Sequence, residues 1–188
     1  MINPFLIGER VYLRPLCESD CDGPYPSWFN DEEVCRGNSH HTFPYGVGAA
    51  VEHVRRVAQS RDCVVLAIVL REDDRHVGNI ALQEINWVNR SAEFAILIGD
   101  RTAWGNGYGR DAARLLLDHG FNALNLHRVH CGTFEDNETM QRLALYLGMR
   151  EEGRRREAAF KDGRYVDILE FGVLGNEYAA HWQGEGTA

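Results

Sequence analysis

Polar and apolar residues alternate through Arg10-Val-Tyr-Leu-Arg-Pro-Leu16, a period of two that predicts a short first strand. Ser19 and Asp20 are placed to cap a helix reaching Trp28 and Phe29. Residues 30–46 hold Asn30, Asp31, Gly37, Asn38, His40, His41, Pro44 and Gly46, turn-forming types that predict a loop. Val51, Val54 and Val57 recur at three-residue spacing and predict a second helix over Ala49–Gln59. Cys63–Leu70 is a continuous apolar run rich in β-branched residues, the pattern of a strand buried on both faces. Glu72–Arg75 makes a turn, His76–Ile85 returns as a strand, and Ser91–Ile98 follows the Asn86–Arg90 turn as a third. Gly109–Leu124 is the strongest helix, with Ala112, Leu115, Leu116 and Phe121 on its apolar side. Arg128–Phe134 reads as a strand and Asn137–Leu147 as a helix stopped by Gly148. Residues 150–160 and 164–174 form a closing hairpin about Lys161-Asp-Gly163.

The predicted order β-α-α-β-β-β-α-β-α-β-β describes one α/β (α+β) domain spanning 1–188, with its core in about 8–175. Its sheet is mostly antiparallel, because the middle strands follow one another through short turns. Composition changes this picture little: 44% hydrophobic and 26% charged residues are ordinary for a globular chain. The net charge of −8 is informative, since a protein that binds nucleic acid through phosphates carries the opposite sign. Nucleic acid is therefore not an expected partner, and a small basic acceptor gains weight. Five cysteines without a CxxC pair read as reduced thiols, and the sequence shows neither a secretory leader nor a membrane-length apolar run. A cytoplasmic, non-membrane protein is expected.

The segment Asp100-Arg-Thr-Ala-Trp104-Gly105-Asn106-Gly107-Tyr108-Gly109-Arg110 joins a strand to the strongest helix. Glycines at alternate positions let backbone N–H groups converge, and a helix N-terminus behind them adds positive potential. A pyrophosphate is the expected guest. The spacing is neither the G-x-G-x-x-G of dinucleotide folds nor a P-loop, which needs Gly-Lys-Ser/Thr.

Glu93-Phe-Ala-Ile-Leu-Ile98 before this turn, the turn itself, and Asn137 with Gly148-Met149 after it resemble the GCN5-related N-acetyltransferase (GNAT) superfamily. Within it the likeness is to the RimJ/RimL and spermidine-acetyltransferase-like branch, and it runs from Val11-Tyr-Leu-Arg-Pro to Gly172-Val-Leu. Leu124-Asn-Leu-His-Arg128 also resembles a stretch common in that branch. The resemblance implies a sheet splayed around an acetyl-CoA site, with about four helices. The family's Q/R-x-x-G-x-G/A element falls on Trp104, Gly107 and Gly109, so residues 104–110, Gly105, Asn106, Tyr108 and Arg110 included, are expected at the cofactor. The backbone of Ile96, Leu97 and Ile98 is expected to hold the pantetheine arm as an added strand would, and Asn137 to lie near the coenzyme or cap its helix. Related proteins often form dimers, and a homodimer is the expectation this carries.

Acetyl transfer to an amine requires a deprotonated nitrogen, and Glu93 is the candidate base, directly or through water; the bland reading is a cross-strand ion pair. The Tyr that many members carry seven residues after the Asn is replaced here by Ala144. Tyr146 stands about 200° further round the helix and reads as a packing residue. A thiolate with a parent pKa of ~8.5 leaves tolerably without an acid, though the loss costs up to roughly 10²–10⁴-fold. The expected activity is acetyl-CoA-dependent N-acetylation of a primary amine, whether a protein N-terminus, a polyamine or an amino sugar. Acceptor choice should lie with the loop from Trp28 to Tyr45 and the closing hairpin. The alternative is a non-catalytic acyl-CoA-binding module on the same fold. Cys17, Cys21, His40 and His41 lack a matching metal-ligand spacing, so no metal is expected. Cys131 reads as a buried hydrophobe, Arg154–Arg156 as a solvated face, and Arg142 as exposed unless it reaches a CoA phosphate.

Overall fold

A computed structural model describes residues 1–183. Eight strands form one sheet: β1 (Leu6–Ile7), β2 (Val11–Pro15), β3 (Val64–Leu70), β4 (His76–Asn86), β5 (Ser91–Ile98), β6 (Arg128–Phe134), β7 (Arg150–Lys161) and β8 (Arg164–Leu174). Their order across the sheet is β1-β2-β3-β4-β5-β6-β8-β7. Only β5 and β6 run parallel; every other neighbouring pair is antiparallel. Among the described residues the α-helices are α1 (Tyr25–Trp28), α2 (Glu32–Cys35), α3 (Val47–Gln59), α4 (Tyr108–Asn122), α5 (Glu138–Tyr146) and α6 (Gly175–Gln183).

Strand periodicity divides the interior into two layers. On β3, Leu66, Ile68 and Leu70 enter the main core while Ala67 and Val69 enter a second one, so both faces are covered as the unbroken apolar run predicts. The main core lies under α4, whose Ala112, Ala113, Leu116 and Leu117 are fully buried. Small residues let α4 approach closely: a Cβ on Gly120 would stand 2.9 Å from Leu82 Cδ1. The second core lies under α1 and α3, through Tyr25, Trp28, Ala50 and Val54.

Four features depart from the sequence expectations. The single helix predicted after Ser19 is broken into a 3₁₀ turn over Glu18–Asp22 and the short α1, because Gly23 and Pro24 intervene and a proline cannot continue the hydrogen-bond ladder. Within the predicted loop 30–46, Asp31 Oδ1 accepts from the N–H groups of Glu33 (2.9 Å) and Val34 (3.1 Å) and starts α2. The two-residue β1 extends the sheet beyond β2. Helix α6 lies outside the expected core, yet its Tyr178 is buried and donates to Asp118 at 2.9 Å. The closing hairpin is as expected: Asp162 and Gly163 both have positive φ (51° and 79°), the two-residue turn that suits strand twist.

Candidate active site

The one parallel pair creates the cleft. β5 and β6 are in register only from Ser91 to Glu93, opposite Arg128 to His130, and then part. β5 stays paired with β4 as far as Ile98, so from Phe94 onward its other edge is open. Strand alternation turns the N–H and C=O groups of Ile96 and Ile98 to that open edge, whereas those of Leu97, in phase with Gly99 whose N–H donates to Val77 O, face β4, so the sequence expectation holds for two of the three. Ile96 and Ile98 pack against the main core and Leu97 against the second, which leaves the backbone of Ile96 and Ile98 as the cleft-facing feature. A strand edge without a partner is a ready template for an extended amide-bearing chain.

Past Ile98 the chain turns through Arg101–Ala103 into the glycine-rich segment. Gly105 (φ 75°) and Gly107 (φ 79°) occupy the left-handed region that side chains disfavour. Gly107 is the N-cap of α4. The N–H groups of Gly105, Asn106, Gly107, Tyr108 and Gly109 have no acceptor among the described residues, whereas Arg110 and Asp111 already donate to Gly107 O. Five unspent donors at the start of a fifteen-residue helix form an anion cradle. A pyrophosphate fits it, and a pantetheine fits the open β5 edge.

Side chains brace this turn from behind. Trp104 Nε1 donates to Ile98 O at 2.8 Å, fastening the turn to the end of β5 and using that carbonyl. Asn106 Nδ2 donates to Trp104 O at 3.2 Å. The Tyr108 ring lies under the Arg10 guanidinium, 4.6 Å from its carbon to the ring centroid. The Arg110 guanidinium lies 4.8 Å from the Tyr146 ring centroid, so its side chain is engaged away from the cradle. Arg10 is absent from the sequence expectations. Its Nη1 is 3.3 Å from where a Gly107 Cβ would stand, which sets a cation at the mouth of the turn. Nothing local marks it, because about a hundred residues separate it from the α4 N-terminus.

Glu93 sits at the apex where the strands part. It is half-buried, with its Oε2 accepting from Gln83 Nε2 at 2.8 Å. Gln83 is its β4 register partner, and a β-bulge follows between Gln83 and Asn86. Bulges recur beside active sites because they re-aim neighbouring side chains. A neutral amide is the only hydrogen-bond partner of this carboxylate among the described residues, so the ion-pair reading of Glu93 is not what the structure contains. The β6 register partner is His130, whose Nδ1 is buried and unpartnered among the described residues. Sequence reasoning passed over it, since it alternates with Val129 and Cys131 like any outward strand residue.

On the face of the sheet that Glu93 shares with Leu97, the second core is aromatic. Phe29 meets Tyr25 (5.6 Å) and His40 (4.7 Å) edge to face and Tyr45 (4.7 Å) at a tilt. Asn30 clamps the loop by donating to Tyr45 O (2.7 Å) and accepting from Tyr45 N–H (2.8 Å). Trp28 abuts Gly99 so closely that a Cβ there would stand 2.0 Å from Trp28 Cδ2. Beneath lies a buried polar network. Arg14 donates twice to Asp20 (2.6 and 2.8 Å), and His76 Nδ1 is 3.5 Å from the same carboxylate. Burial alone would raise the Asp20 carboxyl, but hydrogen bonds from Arg14, His76 and the Cys17 N–H outweigh it and hold the group well below the usual carboxylate range. Lys161 of the closing hairpin donates to His40 O at 3.0 Å, so the two expected specificity walls touch.

Asn137 caps α5 by accepting from Met140 N–H at 3.1 Å, and its Nδ2 donates to Gly37 O at 2.9 Å. Both ends of its amide are thus engaged, in capping and in anchoring the loop after α2. Ala144 is fully buried in the main core, and Tyr146 packs edge-on against Trp182 (5.3 Å) as a packing residue would. Cys131 is buried, and burial, followed by the charges of Glu93 and Glu170, pushes its thiol up to about 12, far from a nucleophile. Arg154 pairs with Glu135 and Asp167, and Arg142 with Glu138, both on the surface. All five cysteines are free thiols. Among the described residues, no cluster of three or more His, Cys, Asp or Glu is arranged to hold a metal ion, and no helix is long and apolar enough to cross a membrane.

Comparison with known proteins agrees with this geometry. An N-acetyltransferase of Bacillus licheniformis, the uncharacterized p20, is 32% identical over 187 residues, covering 93% of this chain and 98% of that protein. The spermidine N(1)-acetyltransferase of Vibrio cholerae is 35% identical over 102 residues, 54% of this chain and 58% of that protein. The crystal structure of spermidine N-acetyltransferase from Vibrio cholerae in complex with CoA and spermine superposes with a TM-score of 0.81 at 26% identity, covering 90% of this chain and 98% of that one. Residues 10–150 match the acetyltransferase (GNAT) domain. The chain belongs to the GNAT family, and it is an acetyl-CoA-dependent N-acetyltransferase that acts on a primary amine.

Proposed function

We propose that the acceptor is a polyamine and that Glu93 is the base that readies its amino group. The observation that carries this reading is the coincidence, at one point of the sheet, of the last β5–β6 rung, the Glu93 carboxylate and the start of an open strand edge leading to the amide cradle. The polyamine class draws support from the likeness, in sequence and in structure, to the spermidine N-acetyltransferase of Vibrio cholerae and from the net charge of −8, which favours a polycation over a neutral acceptor.

The chain's own residues divide the work. Amides of Gly105–Gly109 hold the pyrophosphate, and the edge of Ile96–Ile98 holds the pantetheine. Acetyl-CoA, so bound, supplies an acyl thioester whose carbonyl carbon is open to attack. Glu93, bonded to a neutral amide rather than a cation, keeps an unneutralised negative charge at the apex. That charge draws in an ammonium and accepts its proton, directly or through water. With Ala144 in place of a hydroxyl, α5 offers no acid at that position.

We assign the enzyme to a reducing compartment on its five free thiols. The activity test is thiol release from acetyl-CoA with spermidine, spermine, an N-terminal peptide and an amino sugar. A kcat/KM at least tenfold higher for the polyamines is expected. Turnover confined to the peptide or the sugar overturns the polyamine assignment.

A further inference from the structure

Two histidines near the site have opposite surroundings. His76 is held at both nitrogens: Nε2 contacts Gly78 O and Asn79 Oδ1 at 2.9 Å each, and Nδ1 faces Asp20. His130 is held at neither nitrogen among the described residues, and its Nδ1 is buried. A buried polar atom left without a partner is uncommon and calls for an explanation. No bond at Nδ1 fixes the tautomer, so the ring can take a proton at one nitrogen and release it at the other.

His130 stands across the final β5–β6 rung from Glu93, on the same side of the sheet. Glycine beside it makes room for charged side chains: a Cβ on Gly172, its β8 register partner, would stand 2.6 Å from both Arg128 Nη1 and Glu152 Oε2, and one on Gly132, next on the same side of β6, 3.4 Å from Arg155 Nη2 and Glu170 Oε1. The charged groups on this side are Glu93 from β5, Arg128 from β6 itself, Glu152 and Arg155 from β7, and Glu170 from β8. Arg128 is paired with Glu152, and Arg155 with Glu170. Those four charges neutralise one another in pairs, and Glu93 remains as the one negative charge beside the ring that lacks a cation.

We propose that His130 is a proton-transferring catalytic residue, forming with Glu93 a dyad that does the work of the absent tyrosine. This rests on the acetyl-transfer reading above. An incoming R–NH₃⁺ gives one proton to Glu93, which passes it to the imidazole and, ionised again, stabilises the imidazolium that results. The freed amine forms the C–N bond at the thioester carbonyl carbon and its second proton goes to solvent; the C–S bond breaks, and the thiolate takes the imidazolium proton. The ring ends as it began, and no oxidant or further reactant is consumed. The dyad thereby serves as base toward the amine through Glu93 and as acid toward sulfur through His130, which removes the need for a hydroxyl on α5.

The test compares the wild-type enzyme with His130→Gln and His130→Ala, using acetyl-CoA and spermidine. Thermal melting and acetyl-CoA calorimetry are run on each variant to show an intact fold and cradle. His130→Gln is expected to lose at least tenfold in kcat, with acetyl-CoA affinity within twofold and the acid limb of its pH–rate profile moved by more than one unit. Added imidazole is expected to restore the rate of His130→Ala. A readout independent of turnover is the ¹⁵N spectrum of the histidine rings in coenzyme-free protein. On titration with spermidine the His130 signals move and those of His76 stay. A folded His130→Gln with wild-type kcat and an unmoved profile overturns the inference while leaving the acetyltransferase reading intact. Wild-type protein that releases no thiol with any amine overturns that reading instead.

Discussion

The two halves of the cleft are built from different material. The half proposed for the coenzyme is built mainly of backbone: five free amides, two left-handed glycines and an open strand edge, with Arg10 at its mouth and other side chains bracing it. The acceptor half is made of side chains: Glu93, Gln83 and His130 at the apex, with Tyr25, Phe29 and Tyr45 along the wall. Backbone donors cannot be exchanged by substitution without breaking the turn, so the first half recognises one invariant chemical group. Side chains can be replaced one at a time, so the second half is where we propose that acceptor choice resides.

The contrast is sharpened by substitutions that strike one half and spare the other. The largest effect is expected from Glu93→Gln, which keeps the hydrogen bond with Gln83 but removes the charge. It should lower kcat by 10²–10⁴-fold with little change in coenzyme affinity, as steady-state kinetics and calorimetry will register. Next is Asp20→Asn beneath the aromatic wall. It leaves Arg14, only 13% exposed, without its counter-charge, at a cost of about 3 kcal/mol in chemical unfolding at pH 7. The Asp20 carboxyl titrates lower in the folded protein than in the unfolded chain, so its stabilisation is complete above the unfolded value near ~3.9. It is lost as pH falls below that value toward the folded one. The gap between wild type and Asp20→Asn should therefore hold from pH 7 to about 5 and close only below about pH 4.

In the backbone half, Gly107→Ala forces a side chain into the left-handed region at a cost of about 1–2 kcal/mol. It should weaken acetyl-CoA binding while leaving the pH dependence of kcat as it was. Asn137→Ala is the mildest change: loss of the α5 cap costs about 1 kcal/mol, and loss of the bond to Gly37 O loosens the acceptor loop. Its KM for the amine should rise more than its KM for acetyl-CoA. The opposite ranking would move Asn137 to the coenzyme side of the comparison.

The same division explains what the sequence reveals. The cradle is legible because a backbone-built site needs glycine at fixed spacing, and Trp104-Gly105-Asn106-Gly107-Tyr108-Gly109 displays it. The middle strands are equally plain, since Cys63–Leu70 is apolar throughout. The acceptor wall is not, for it is assembled from contacts across long separations: Lys161 with His40, Asn137 with Gly37, Trp28 against Gly99. Arg10 and His130 share that difficulty. Helix α2 is four residues long and starts from one aspartate, too short for periodicity to register. Helix α6 owes its place to Tyr178 and Trp182 meeting Phe121 and Tyr146, contacts no local pattern announces.

The central claim is that the free amides of 105–109 and the open β5 edge grip the coenzyme. It is tested most directly by amide NMR of the ¹⁵N-labelled protein titrated with coenzyme A. The largest shifts are predicted at Gly105, Asn106, Gly107, Tyr108 and Gly109, followed by Ile96 and Ile98, with the N–H of Arg110 changing little because it already donates to Gly107 O. Saturation of the protein with those seven resonances unmoved would contradict the account.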